Sequence, residues 1–279
     1  MKNFSSLSEI GTLSRSDFEE TCLANVDHLY VGDNTVMCKV LGRHKMMVDA
    51  KDLGIAPHLI MDGYWESWLT QLLARIIKPG AVCLDIGANF GYFSILMSEL
   101  CGSAGKTISV EPNPSICSFL KATRFLNGGK FEIIESALAD KRGEAVLTVT
   151  DRELGGGTIK PNDAAPNRSQ VRVPTISVDE LVEEKGLPRV DVIKMDVEGV
   201  EPLVFSGMKR TINNNPDIHI LVEYSPSIYD DPAGFTDFLF SNFVVNRVKD
   251  VDTMTRLSSS DIPKLLAITD HTDLYLRRR

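Results

Sequence analysis

The spacing of apolar residues changes along this chain, and each change marks an element. The first 30 or so residues mix polar and apolar positions, with Ser14, Ser16 and Asp17 offering helix-start chemistry ahead of Phe18 and Leu23. Residues 35–40 and 45–50 read as two short strands around a turn at 41–44, which predicts an N-terminal β-hairpin. Over 64–77 the residues Trp65, Trp68, Leu69, Leu72, Leu73 and Ile76 recur at helical spacing, and Lys78-Pro79-Gly80 ends the run. From there short apolar runs alternate with helical stretches. Strands are predicted over 81–86, 107–110, 131–136, 190–195 and 219–223, and helices over 90–101, 115–126, 178–184 and 202–213. A further strand is expected over 146–150, followed by a loop rich in Gly, Pro, Asn and Asp over 154–169. Residues 243–251 and 273–278 read as a closing pair of strands. This alternation predicts an α/β fold, a mostly parallel sheet covered on both faces with an antiparallel edge near the C-terminus. Residues 1–62 then form an extension ahead of one domain over 63–279.

Charge and cysteine usage narrow the function class. Hydrophobic residues make up 43% of the chain, enough to bury a real core. The formal net charge is −8, which argues against gripping nucleic acid, because phosphate binding needs a basic footprint. The basic cluster Arg277-Arg278-Arg279 reads as a solvated end. Cys22, Cys38, Cys83, Cys101 and Cys117 are scattered with no Cys-x-x-Cys pair, which points to reduced thiols. Nothing near Met1 resembles a signal peptide, and no apolar run is long enough to cross a bilayer. The expectation is a cytoplasmic protein with no membrane partner and an open oligomeric state.

The informative stretch is Leu84-Asp85-Ile86-Gly87-Ala88-Asn89-Phe90-Gly91-Tyr92-Phe93-Ser94, which follows a predicted strand and opens a predicted helix. Ligands of open parallel sheets bind at such strand ends. Gly87 and Gly91 are expected to let backbone approach the ligand. The turn reads Gly-x-x-x-Gly rather than the Gly-x-Gly-x-x-Gly of dinucleotide binders, and Asp85 at the strand tip would repel a phosphate. The same carboxylate would attract a cationic sulfonium and ammonium, by roughly 4 kcal/mol at about 4 Å. Glu111 ends the next strand and could accept two hydrogen bonds from a ribose diol. Together these favour S-adenosylmethionine over a nicotinamide dinucleotide. A nicotinamide-dependent oxidoreductase and a non-catalytic nucleoside-binding module remain the competing readings of the same pattern.

The stretch 85–94 resembles the first motif of the FkbM family of methyltransferases, as does Ile193-Lys194-Met195-Asp196-Val197-Glu198-Gly199-Val200-Glu201 with Ile220-Leu221-Val222-Glu223 after it. Gly63-Tyr64-Trp65-Glu66 is similar to that family's entry segment, so the likeness spans about residues 63–224. The resemblance implies a Rossmann-like class I methyltransferase fold with a seven-stranded sheet, and O-methylation of a sugar or secondary-metabolite hydroxyl. It implies that Asp85, Gly87, Asn89 and Gly91 line the methionine part of the cofactor and Glu111 the ribose. By the same likeness Ser136 and Ala137 lie near the adenine, Glu66 touches the cofactor or holds a lid, and Asp196 lies close to the reacting methyl.

An alcohol is a weak nucleophile until its proton leaves, so the reacting end needs a base or a metal. Asp196 is the first choice, with three roles open: orienting the acceptor, taking its proton, or binding a metal. Glu223 ends the neighbouring strand and could converge on the same point, an oxygen-rich pair of the kind Mg²⁺ or Ca²⁺ uses. A lysine three positions after the aspartate, as metal-dependent catechol-type enzymes carry, is replaced here by Gly199, so a divalent metal is possible but unsupported. His58 precedes the entry segment and could sit on a lid. His219 reads as structural, Glu198 and Glu201 as charges at a helix start, and Tyr64, Trp65 and Trp68 as packing residues that could also stack on a ligand. Gly155-Gly156-Gly157-Thr158 reads as a flexible loop, with a substrate lid as the alternative.

Overall fold

The computed structural model describes residues 3–150, 156–159, 168–249 and 254–279. Parts of the polar stretch, including Leu154, Gly155 and 160–167, lie outside the described residues, as does Val251.

Ser14 accepts a hydrogen bond from the Asp17 amide and starts α1 (Arg15–Leu23). The expected hairpin is present as β2 (Thr35–Val40) and β3 (His44–Asp49), and β1 (His28–Gly32) adds a third antiparallel strand beside β2. β1 is an exposed edge, so it lacks the apolar alternation that would have announced it. The buried Asp52 carboxylate accepts from the Ala56 amide at the start of α2 (Ala56–Met61). The predicted helix over 64–77 is shorter, α3 (Ser67–Ile76), because Glu66 takes a left-handed φ of 39° and the helix begins only after it.

Strand and helix then alternate through β4 (Val82–Ile86), α4 (Tyr92–Cys101), β5 (Lys106–Val110), α5 (Pro114–Leu126) and β6 (Glu132–Ile134). β7 (Ala137–Leu138), β8 (Gly143–Thr150) and β9 (Arg168–Ile176) form a separate small sheet in the order β7-β9-β8. The strand expected over 146–150 therefore lies outside the main sheet and pairs with β9, whose first residues fall at the end of the expected loop over 154–169 and whose remainder carried no predicted element. A capping box at Ser177 and Glu180 opens α6 (Val178–Glu184), followed by β10 (Val192–Met195). The helix predicted over 202–213 is divided into α7 (Glu201–Ser206) and α8 (Lys209–Asn214). Gly207 lies at the break, where a Cβ would stand 2.3 Å from the Ala139 carbonyl oxygen. The remaining elements are β11 (His219–Tyr224), α9 (Pro232–Asn242), β12 (Phe243–Val248), β13 (Thr255–Arg256), α10 (Ile262–Leu266) and β14 (Thr272–Arg278).

Among the described residues the main sheet runs β13-β12-β14-β11-β10-β4-β5-β6. β4, β5, β6, β10 and β11 are parallel, and β14 runs antiparallel between β11 and β12. This is the expected Rossmann-like class I methyltransferase architecture of seven strands, with the two-residue β13 added at the edge. The chain leaves β4 toward β5 on one side and returns to β10 on the other, so a crevice opens at the carboxyl ends of these strands.

Two apolar clusters cover the sheet, and strand alternation assigns residues between them. Leu84, Ile86, Ile193, Met195, Ile220, Val222 and Leu274 join one cluster. Cys83, Val192, Leu221 and Tyr275 join the other, which also takes Phe4, Phe18 and Val40 from the N-terminal extension and Leu96 from α4. All five cysteines are buried, free thiols. The basic end is exposed at Arg277 and Arg279, as expected, and half-buried at Arg278, but two of its side chains also make hydrogen bonds. Arg278 donates from Nη1 to the Ile212 carbonyl at 2.9 Å, and Arg279 from Nε to the Phe243 carbonyl at 3.1 Å, so these guanidiniums tie down carbonyls left over at element ends. Among the described residues no helix is long and apolar enough to cross a membrane.

Candidate active site

A cavity of about 670 Å³ occupies the crevice. Its floor is the turn after β4 with Ile86, Gly87 and Asn89; the small sheet contributes Leu138 and Leu147, and Ile159 lines it beside the bridge between Thr158 and Thr148. Gly87 has φ 79°, and a Cβ there would stand 1.8 Å from the Asp196 carbonyl oxygen. Gly91 has φ 97°, a Cβ there would stand 2.6 Å from Leu120 Cδ1 of α5, and it is not part of the cavity wall. Gly87 thus lines the cavity and is also required by a close contact inside the protein, whereas Gly91 is held by an internal contact alone.

Asp85, like Gly91, stands away from the cavity wall where the sequence expected it. It is fully buried and lies beneath the cavity rather than in its wall. Alternation along β4 puts it on the face of Cys83, toward α4, where Ser94 donates from Oγ to Asp85 Oδ2 at 2.5 Å and Ser109 donates to Ser94 at 2.7 Å. Burial raises the Asp85 pKa to about 6 against the opposing pull of Lys194 and Ser94. Its charge reaches the cavity through Lys194 and not by contact.

Glu111, just after β5, does reach the cavity. Its Oε2 accepts from the Asn89 amide and its Oε1 from the Asn113 amide, both at 2.9 Å. Those bonds fix the carboxylate across the mouth of two strands and use two of its roughly four acceptor sites. Burial raises its pKa to about 7, with the two amides working the other way. Asn89 suits the turn because its φ is 50°, a conformation Asn tolerates, and its Oδ1 accepts from the Phe90 amide. Ser136 and Ala137 also line the cavity, and Ser136 Oγ donates to the Pro174 carbonyl at 2.8 Å.

At the other end Asp196 follows β10 and its Oδ2 lies 3.2 Å from Lys194 Nζ. Glu66, Glu198 and Glu223 line the same part of the wall. Burial and then the neighbouring Asp196, Glu198, Glu201 and Glu66 carboxylates push Glu223 up to about 10, so it carries its proton at neutral pH. Glu66 rises to about 8, through burial and the nearby Asp273. Glu201 is buried at the start of α7, where it accepts from the Val197 amide at 3.0 Å. His58, on α2, lines the cavity while pairing with Asp62 at 3.1 Å and packing on Trp65 with 5.2 Å between ring centres. His219 is away from the cavity, its Nδ1 2.5 Å from the Tyr275 hydroxyl. Tyr64, Trp65 and Trp68 pack against the core, as expected, and also line the cavity. Among the described residues no three His, Cys, Asp or Glu side chains are grouped to hold a metal ion. The cation at Asp196 is the Lys194 ammonium.

Sequence reading passed over Lys194, Asp273 and the indole donor of Trp68. Trp68 Nε1 donates to Asp273 Oδ2 at 2.7 Å, joining α3 to β14. Strand register explains the grouping: Lys194 pairs with Asp85 and Leu221, and Glu223 with Asp273, so their side chains share one face of the sheet. A charged residue at the inward position of a buried strand was the available signal.

A family model described as the methyltransferase FkbM domain matches residues 85–256. The chain is 25% identical over 180 residues to the hexuronic acid methyltransferase AglP of Haloferax volcanii, covering 64% of this chain and 70% of that protein. It is 28% identical over 171 residues to the 2-O-methyltransferase NoeI of Sinorhizobium fredii, covering 56% of this chain and 68% of that one. Among solved structures, an O-methyltransferase from Bacillus cereus in complex with SAH aligns with a TM-score of 0.43 at 13% identity, over 75% of this chain and 78% of that one.

Proposed function

The chain belongs to the FkbM family of methyltransferases, and from that premise we propose that it uses S-adenosylmethionine to methylate a hydroxyl of an uncharged or amino-bearing sugar. The observation that carries this reading is the polarity of one cavity. Glu111 stands at one end with acceptor sites to spare, and Asp196 and Glu223 stand at the other. A nucleoside ribose fits the first end, because a fixed carboxylate accepts from hydroxyls but repels phosphate. Glu111, Asn89 and Ser136 are the residues that would hold the cofactor. When bound, it supplies a methyl group already activated on a sulfonium.

The residues of the chain then have to place and deprotonate the acceptor oxygen. Holding the two reacting atoms in line accounts for a large part of such catalysis. In this reading Asp196, paired with Lys194 at the cavity wall, takes the hydroxyl proton, and protonated Glu223 donates a hydrogen bond to the acceptor. Two carboxyls in different environments thus take different roles. Carboxylates that accept from hydroxyls beside the indole faces of Trp65 and Trp68 suit a sugar. A carboxylated sugar would meet like charge, at a cost of roughly 4 kcal/mol for a pair about 4 Å apart at an effective dielectric of 20. The acceptor is therefore expected to differ in charge from the hexuronic acid in AglP's name.

The test is calorimetry with S-adenosylhomocysteine and with NAD, followed by methyl transfer to a panel of neutral hexoses, amino sugars and uronic acids. S-adenosylhomocysteine should bind and NAD should not, and Glu111→Gln should weaken the former about tenfold, the worth of one lost charge-assisted hydrogen bond. Transfer confined to uronic acids would overturn the acceptor class, and binding of NAD alone would overturn the cofactor.

A further inference from the structure

Lys194 is a charged residue in the middle of a buried parallel strand, and only 5% of it is exposed. Such a residue has to be compensated where it sits. Its Nζ lies 3.2 Å from Asp196 Oδ2 and 5.1 Å over the Phe93 ring of α4. Four carboxyl groups face it: Asp85 from β4, Asp196 after β10, Glu66 at the start of α3 and Asp273 from β14. Burial works against its charge, but Asp196, Asp85 and Glu66 outweigh burial and hold its proton more tightly than water would.

We propose that Lys194 is a positioning residue for methyl transfer: its ammonium holds the Asp196 carboxylate in a fixed orientation at the cavity wall while the acceptor's proton passes to it. The inference rests on the methyl-transfer reading above. In the step concerned, the acceptor O–H bond breaks and the new O–C bond forms. The electron pair of the methyl–sulfur bond stays on sulfur, and the proton goes to an Asp196 carboxylate oxygen. Lys194 keeps its own protons throughout. A ring of carboxyls, rather than a single partner, matters here. When Asp196 becomes neutral, Asp85 and Asp273, which stay ionised at neutral pH, still offset the buried ammonium, so the step does not strand an unpaired charge.

Two measurements test the pairing and its catalytic effect separately. The first is the ¹⁵Nζ signal of lysine in the wild type and in Asp196→Asn, assigned through its absence in Lys194→Met or Lys194→Arg. The Lys194 signal should move when Asp196 is neutralised; a signal that stays in place overturns the proposal. The second is steady-state methyl transfer to the sugar panel, with S-adenosylhomocysteine affinity measured alongside. Lys194→Met should lose about a hundredfold in kcat, the low end of what a positioned base supplies, with KM for S-adenosylmethionine within about threefold. Lys194→Arg, which keeps the charge and serves if the Met variant fails to fold, should recover at least a tenth of the wild-type kcat. A folded Lys194→Met variant with kcat unchanged overturns the proposal. A wild type that methylates no sugar on the panel counts against the functional reading instead, and the lysine signal still decides the pairing.

Discussion

Replacing Gly87 by alanine tests how the turn after β4 is built. The backbone there has φ 79°, and the added Cβ would stand 1.8 Å from the Asp196 carbonyl oxygen, a gap that must open to at least 3.0 Å. Two costs follow. Left-handed backbone strain on a residue with a Cβ is worth about 1–2 kcal/mol. Forcing a methyl into a packed site adds typically about 1–3 kcal/mol. The clash is with backbone rather than a flexible side chain, so relief has to come from separating β4 from the segment after β10, which the Asp196 amide now ties to the Ile86 carbonyl at 3.0 Å. Gly80→Ala isolates the first cost, because Gly80 has φ 84° and a Cβ there would meet nothing within 4 Å. Urea unfolding should therefore show Gly87→Ala losing about 2–5 kcal/mol and Gly80→Ala about 1–2 kcal/mol. Displacing Asp196 by an ångström should also cost turnover about a hundredfold. Equal destabilisation of the two variants would refute the steric account.

The pH dependence of stability follows from the buried acids. Glu223, Glu66, Glu111 and Glu201 are raised to about 10, 8, 7 and 7, by burial first in each case. An acid that holds its proton more tightly in the folded state contributes stability below its unfolded pKa, and loses it as pH rises through the folded value. The melting temperature without cofactor should therefore fall from pH 6 to pH 9, and Glu223→Gln should flatten the upper part of that slope; a rise in melting temperature would contradict these assignments. Trp68→Phe leaves the Asp273 carboxylate without its 2.7 Å indole donor and should cost about 1–3 kcal/mol in urea unfolding. Ser94→Ala removes the donor to Asp85 and should cost a similar amount, about 1–3 kcal/mol, while S-adenosylhomocysteine affinity stays unchanged, because Asp85 lies beneath the cavity. A matching loss of affinity would return Asp85 to the cavity wall.

The sequence alone determined the alternating strands and helices of the parallel part of the sheet and their order. Apolar runs separated by helical spacing identify β4, β5, β10 and β11, because buried parallel strands must be apolar on both faces and the pattern is local. The same locality revealed the turn after β4 and the acidic residue after β5, since both are strand-end features readable within a few residues. Its limits were equally local. The exposed β1 carries no burial pattern, and the pairing of β8 with β9 joins segments with part of the polar stretch between them.

What only the tertiary structure decided is which way the acids face and what answers them. Asp85 and Glu111 look alike as strand-end carboxyls, yet one is consumed by Ser94 beneath the cavity and the other opens into it. Lys194, Asp273 and Trp68 come together only through the register of β10, β11 and β14 and the packing of α3 on that face. Charge compensation in a buried site depends on distance in space, and distance between strands far apart in the chain is set when the sheet closes, not by the residues next to each one.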